Sequence, residues 1–157
     1  MANRLPWRIE VDDLSSPQIA ALLELHAAEM RANSPEDACH YLPIEGLRDP
    51  AVTVWSVWVG DDLAGCGALR ELDERHGEVK SMRTAPEHLG RGVGRAVLAH
   101  VVAVARERGY ERLSLETGTA ASFAAAIHLY EQLGFRACGP FADYAENEFS
   151  RFFTLRL

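Results

Sequence analysis

Between Ser81 and Ala96 the chain reads SMRTAPEHLGRGVGRA, and this stretch restricts what the rest can fold into. It has the form of a strand end, a short loop, a glycine-studded turn and the opening of a helix. Gly90, Gly92 and Gly94 alternate with Leu89, Arg91, Val93 and Arg95. Glycine admits positive φ and lets a ligand approach the main chain closely. The helix that follows, AVLAHVVAVARERG, begins with unpaired N–H groups and a partial positive charge, which attract anions. Arg91 and Arg95 add full charges to the same turn. The stretch therefore has the makings of a pyrophosphate cradle. It does not satisfy the dinucleotide fingerprint G-x-G-x-x-G, because Arg95 or Val97 falls at the last place, and no G-x-x-x-x-G-K-[ST] occurs in the chain.

Composition narrows the partners. The 157 residues carry a formal net charge of −7, which argues against a surface that grips nucleic acid. The arginines at 83, 91 and 95 run against that balance, as the site of a bound polyanion requires. Cys39, Cys66 and Cys138 form no C-x-x-C pair, and the six histidines show no H-E-x-x-H spacing, so no metal site is expected. No run reaches membrane-spanning length and the N-terminus lacks an apolar leader, so a reducing cytoplasm is the expected setting.

The periodicities predict one domain over residues 1–157. A strand at Trp7–Val11 precedes a helix that starts at Ser15-Ser16-Pro17 and fades near Asn33-Ser34-Pro35. Residues 36–47 read as a short helical or irregular stretch. Three consecutive strands follow, Ala51–Val59, Leu63–Leu72 and Glu78–Thr84, joined by turns at Gly60-Asp61-Asp62 and Asp73–Gly77. A helix from Gly92 to Arg108 is apolar nearly all round up to Ala105 and is expected to lie largely buried. Glu111–Thr117 is a strand reached by a crossover. A helix at Ala121–Leu133 and strands at Phe135–Gly139 and Phe149–Leu157 complete the order. This is an α+β or mixed α/β chain with a largely antiparallel sheet of six to seven strands and about four helices.

The strand Glu78–Thr84 has no clean apolar face. Strict alternation puts Glu78, Lys80, Met82 and Thr84 on one side and Val79, Ser81 and Arg83 on the other, which suggests a strand lining a cleft.

LGRGVGRAVL at the mouth of a helix, followed by SLETG and AIHLYEQLGF, resembles the GNAT superfamily of acyl-CoA N-acyltransferases. The likeness covers most of the chain and is strongest from Ala51 to Gly139. The family's cofactor motif Q/R-x-x-G-x-G/A corresponds to Leu89 through Gly94, with Leu89 in place of Gln or Arg. Phe123 stands where many members have an asparagine beside the pantetheine. The segment CGPFADYAENEFSRFF is similar to that of small bacterial acetyltransferases.

The resemblance implies acetyl-CoA as cosubstrate and a primary amine of a small molecule or amino acid as acceptor. Met82 and Thr84, with Arg83 between them, would flank the pantetheine arm. Leu89, Gly90, Arg91, Gly92, Val93, Gly94 and Arg95 would hold the pyrophosphate, and Phe123 would lie beside the arm. Tyr130 corresponds to the general acid and Glu78 to the general base, acting directly or through a water. A main-chain N–H near Met82 is the expected oxyanion donor. The candidates for the acceptor pocket are His26, Arg31, Ser34, His40, Trp55, Tyr144 and Glu148. A second reading is a catalytically idle CoA-binding sensor or interaction module. The assembly state stands open between monomer and homodimer.

Overall fold

The structure is a computed structural model that describes residues 7–35 and 42–157. Seven strands form one sheet: β1 (Trp7–Val11), β2 (Val52–Val59), β3 (Asp62–Asp73), β4 (His76–Thr84), β5 (Arg112–Gly118), β6 (Arg136–Cys138) and β7 (Ser150–Arg156). Their spatial order is β1-β2-β3-β4-β5-β7-β6. All neighbours are antiparallel except β4 and β5. The helices are α1 (Pro17–Asn33), α2 (Ile44–Leu47), α3 (Val93–Glu107) and α4 (Ala124–Gln132). The mixed α/β class and the strand and helix numbers agree with the sequence expectation.

Local chemistry sets the helix ends. Ser16 caps α1, its hydroxyl accepting from the Ile19 N–H at 3.2 Å, and Pro17 occupies the first turn. Gly92 caps α3 with φ of 86°, which an L side chain adopts only at a cost of about 1–2 kcal/mol. A one-turn 3-10 segment, Ala121–Phe123, leads into α4, so the helix expected from Ala121 begins with a tighter turn.

Two apolar layers hold the sheet. On one side Val93, Val97, Leu98, Val101 and Ala105 of α3 pack with Val57, Leu69, Val79, Leu113 and Phe153. On the other, Ile19, Leu22 and Leu23 of α1 pack with Val54, Trp58, Leu63 and Ala68. The expectation that α3 lies largely buried is corrected: one face is buried, and Arg95, Ala99 and Ala103 are exposed. Alanines gave that helix an apolar reading on its wet face, where their small side chains cost little.

Strict alternation also fails within β4. Cys66 pairs with Arg83 and Ala68 with Lys80, so Gly67 opposes both Ser81 and Met82. This is a β-bulge, and Ser81 takes φ of 55° within it. Room for it comes from Gly67, where an added Cβ would lie 2.7 Å from Met82 Sδ. Beyond the bulge the faces exchange. Met82 turns toward α3 and Arg83 turns toward α1, beside Lys80 rather than opposite to it.

Candidate active site

The crossover through α3 makes β4 and β5 parallel, but they pair only from His76↔Arg112 to Glu78↔Ser114. Past Glu78 they part, and a cleft of about 620 Å³ opens between them. Residues 80–84 of β4 and 116–118 of β5 face each other across it, with α1, the glycine turn and α4 as its other walls.

At one end lies the turn before α3. Gly90 and Gly92 have φ of 75° and 86°, and a Cβ at either position would meet no heavy atom within 4 Å. Glycine is needed there for conformation, and it leaves the main chain bare toward the cleft. Arg95 lines the same end, its Nη1 3.4 Å from Gln132 Oε1. Exposed N–H groups, a helix N-terminus and a guanidinium together suit a diphosphate.

Midway along the wall, Tyr130 is 8% exposed and stacks at a tilt on Phe135, ring centroids 6.0 Å apart. Burial, with a smaller push from Glu116 against the pull of Arg83, raises its hydroxyl to about 12. It therefore keeps its proton at neutral pH. Phe123 lies flat on Gly118, where a Cβ would come within 2.2 Å of the ring. The end of β5 and the start of α4 are thus locked together under the cleft.

The far end is polar. Glu78, 2% exposed, holds the Lys80 ammonium at 3.0 Å through Oε2, and the Tyr144 hydroxyl reaches the same oxygen at 2.5 Å. Tyr144 comes from the loop between β6 and β7 and packs edge-on against Phe141, centroids 5.1 Å apart. Burial and the neighbouring Glu78 charge raise its hydroxyl far above the usual tyrosine range. Arg83 of β4 pairs with Glu29 of α1 and donates through Nε to His26 Nδ1 of the same helix at 3.0 Å. Burial first, then the positive charges of Arg83 and Lys80, lowers His26 to about 4. The imidazole is neutral, and since Nδ1 accepts, Nε2 bears the hydrogen. His26 can then donate but has no lone pair left to take a proton. The Cys66 thiol, pushed up to about 12 by burial, is no nucleophile at neutral pH.

A model described as the acetyltransferase (GNAT) family matches residues 19–135. The chain belongs to the GNAT family. It is an acetyl-CoA-dependent acyltransferase. The N-acetyltransferase YsnE of Bacillus subtilis (strain 168) is 54% identical over 149 residues, 95% of this chain and 99% of that one. YedL of Escherichia coli (strain K12), also named an N-acetyltransferase, is 51% identical over 151 residues, 96% and 95% of the two chains. A GNAT family acetyltransferase of Elizabethkingia anophelis, solved with acetyl-CoA bound, shares the fold with a TM-score of 0.71 at 21% identity, over 96% of this chain and 98% of that one.

Against this GNAT frame the residues expected from sequence separate into groups. Met82, Arg83, Thr84, Leu89, Gly90, Gly92, Gly94, Arg95, Phe123 and Tyr130 all line the cleft. Arg91 stays exposed and off the lining, near His88, and the Val93 side chain is 1% exposed in the core beneath the turn. Arg83 lines the cleft from the side of α1, because the bulge has turned it. Glu78 does not line the cleft; Lys80 stands between.

Of the acceptor candidates, His26 and Ser34 line the GNAT cleft. Trp55 is buried in the α3-side core and Arg31 pairs with Glu24 on the surface. Glu148 is exposed, and its carbonyl accepts from Thr119. His40 lies outside the described residues. Sequence reasoning missed Lys80, Ser81, Glu29 and Glu116. For Lys80 and Ser81 the signal was the charge in EVKSMRT, whose alternation fails beyond Lys80; Glu29 and Glu116 carry no such local signal.

A second concavity, about 630 Å³, lies at the β3–β4 turn and is lined by Asp73, Arg75, His76 and Arg112. No residue of the GNAT motif reaches it. Among the described residues, no helix is long and apolar enough to cross a membrane.

Proposed function

We propose that the protein moves the acetyl group of acetyl-CoA onto a primary amine of a small molecule or amino acid, by direct attack within a ternary complex. The observation that carries this reading is the parting of β4 from β5, which joins the glycine turn, Tyr130 and a polar end in one cleft. In this reading the main-chain amides of residues 90–95, with Arg95, hold the pyrophosphate. The unpaired main chain at Met82 and Thr84 runs beside the pantetheine arm, with Phe123 next to it. The thioester then lies near Tyr130.

The acceptor end carries both signs, Lys80 and Arg83 against Glu29 and Glu116. An amino acid, with a carboxylate and an amine, is the small acceptor that uses both. A free amine has a pKa of roughly 10 and must lose a proton before it attacks. Its proton reaches Glu78 by relay: the Lys80 ammonium, which lines the cleft 3.0 Å from Oε2, gives a proton to the Glu78 carboxylate and takes the amine's proton in its place. The nitrogen bonds to the carbonyl carbon, the C–S bond breaks, and the departing thiolate takes the Tyr130 proton. Holding both reactants in the cleft supplies the largest share of the acceleration. The same reading places the chain in the cytoplasm, where Cys66 and Cys138 stay reduced.

The test is thiol release from acetyl-CoA across a panel of amino acids, polyamines and aminoglycosides. Turnover on an amino acid supports the reading. Calorimetric binding of acetyl-CoA without turnover on any amine overturns it in favour of the sensor.

A further inference from the structure

His26 presents an open donor at the polar end of the cleft. It lies on the buried stripe of α1 with Ile19, Leu22 and Leu23, where an apolar side chain would pack without a desolvation cost. Its Nδ1 accepts from Arg83 Nε at 3.0 Å, so Nε2 bears the hydrogen. Among the described residues Nε2 has no hydrogen-bond partner. Ser81 Oγ is the one enclosed side-chain nitrogen or oxygen among them that lacks a partner. An unpartnered Nε2 is therefore not enclosed. The residue is 8% exposed and lines the cleft, so this N–H meets the open space there.

The donor is also held in place. Glu29 grips the Arg83 guanidinium, whose Nε in turn fixes the imidazole by Nδ1. The surroundings select what such a donor meets. Arg83 and Lys80 both disfavour a proton on His26, so the potential at the ring is positive. The same potential favours a negatively charged oxygen. An N–H without a lone pair demands an acceptor, and a carboxylate is acceptor-only. The diphosphate of acetyl-CoA belongs at the glycine turn, at the other end of the cleft, and its thioester is neutral. The anion that fits beside His26 is therefore on the second substrate.

We propose that His26 selects the acceptor, its Nε2–H donating to a carboxylate oxygen of the incoming amine beside the charge of Arg83. The inference rests on the amino-acid reading above and names the side chain that enforces it. Arg83 acts through His26 as a positioning residue. With its carboxylate anchored on α1, the acceptor turns its amine toward Lys80 and the thioester. An amine that lacks the carboxylate leaves the N–H facing nothing, and a site built around a hydrogen bond rejects the analogue that cannot make it.

The experiment pairs each amino acid of the amine panel with its decarboxylated counterpart, phenylalanine with phenethylamine and lysine with cadaverine among them. The readout is the ratio of the two kcat/KM values at saturating acetyl-CoA. Comparing that ratio between variant and wild type cancels the difference in amine basicity. His26→Leu should lower it about 10- to 100-fold, the factor that a hydrogen bond to a charged group confers, while the KM for acetyl-CoA moves little. His26→Gln should keep most of the preference, since its amide oxygen can accept from Arg83 and its nitrogen can donate. Nitrogen-15 NMR of wild type with CoA bound gives a measurement that needs no variant to fold. His26 should be in the Nε2–H form, and its signals should move on adding the amino acid but not the decarboxylated amine. A ratio unchanged in His26→Leu, or His26 signals that ignore the amino acid, overturns the role of His26 and leaves the function standing. Turnover of decarboxylated amines alone does the same. No turnover on any amine overturns the function and this assignment together.

Discussion

Replacing Tyr130 by Phe removes one oxygen atom and keeps the ring. The ring carries the packing: it is 8% exposed and rests on Phe135 at 6.0 Å. The structural cost is therefore below about 1 kcal/mol. The catalytic cost is different in kind. A thiol leaving group has a pKa near 8.5, so unaided departure is tolerable but slower, and general acids contribute typically 10²–10⁴-fold. We expect kcat to fall at least about 100-fold, or about 2.7 kcal/mol in the barrier at 1.36 kcal/mol per decade. The KM for acetyl-CoA should change less than about three-fold. Because burial holds the hydroxyl near 12, its proton is present throughout the working range. The ratio of wild-type to variant rate should accordingly stay level from pH 7 to 10. Linkage gives the matching stability statement: the raised folded pKa contributes stability that is complete below pH 10 and lost as pH rises toward 12. The assay is thiol release under saturating acceptor, with thermal melts of both proteins. A kcat within three-fold of wild type, or a rate ratio that collapses between pH 7 and 10, refutes the acid role.

Three further outcomes follow from the same geometry. Lys80→Met strands the Glu78 carboxylate, whose side chain is 2% exposed; the loss should be about 3–5 kcal/mol in urea unfolding, with Glu78→Gln/Lys80→Met recovering more than half. Gly92→Ala meets no atom but forces φ of 86°, so it should cost about 1–2 kcal/mol, lower the melting temperature by about 3–6 °C and weaken acetyl-CoA binding at least about ten-fold in calorimetry. His26 is depressed to about 4 in the folded chain, so its stabilisation is whole above pH 6.5 and drains as pH falls toward 4, by about 3 kcal/mol at 1.36 kcal/mol per unit. His76 is also lowered, by burial and then Arg112, and drains with the same sign. Urea unfolding at stepped pH checks this, and His26→Gln should flatten part of the slope.

The sequence made the skeleton legible because its punctuation is local. Ser16-Pro17 starts α1, Gly92 starts α3, and Gly109, with φ of 80°, follows its end. The glycine turn was likewise readable from its spacing as a turn of positive φ that opens a helix. The polar end was not. Glu78, Lys80 and Tyr144 meet across 66 positions, and nothing near Tyr144 announces a partner on β4. The bulge at Ser81 was also invisible, because its cause lies on β3, where Gly67 faces two residues at once. One extra residue exchanges the faces beyond it. That is why Arg83, expected on the face opposite Lys80, lies on the same side as Lys80 and lines the cleft beside α1.

The split between β4 and β5 has a consequence for the protein without its cosubstrate. Two strand borders stand apart with donors and acceptors turned toward the gap, much as at the rim of an open sheet. A tether carrying amides, such as the pantetheine arm, can lie in that gap as a borrowed strand. Any extended peptide has the same lattice of amides to offer. In the proposed reading, where the cosubstrate lies in that gap, it also guards against unwanted β-pairing, and a preparation stripped of it should cloud on gentle heating sooner than one supplied with it.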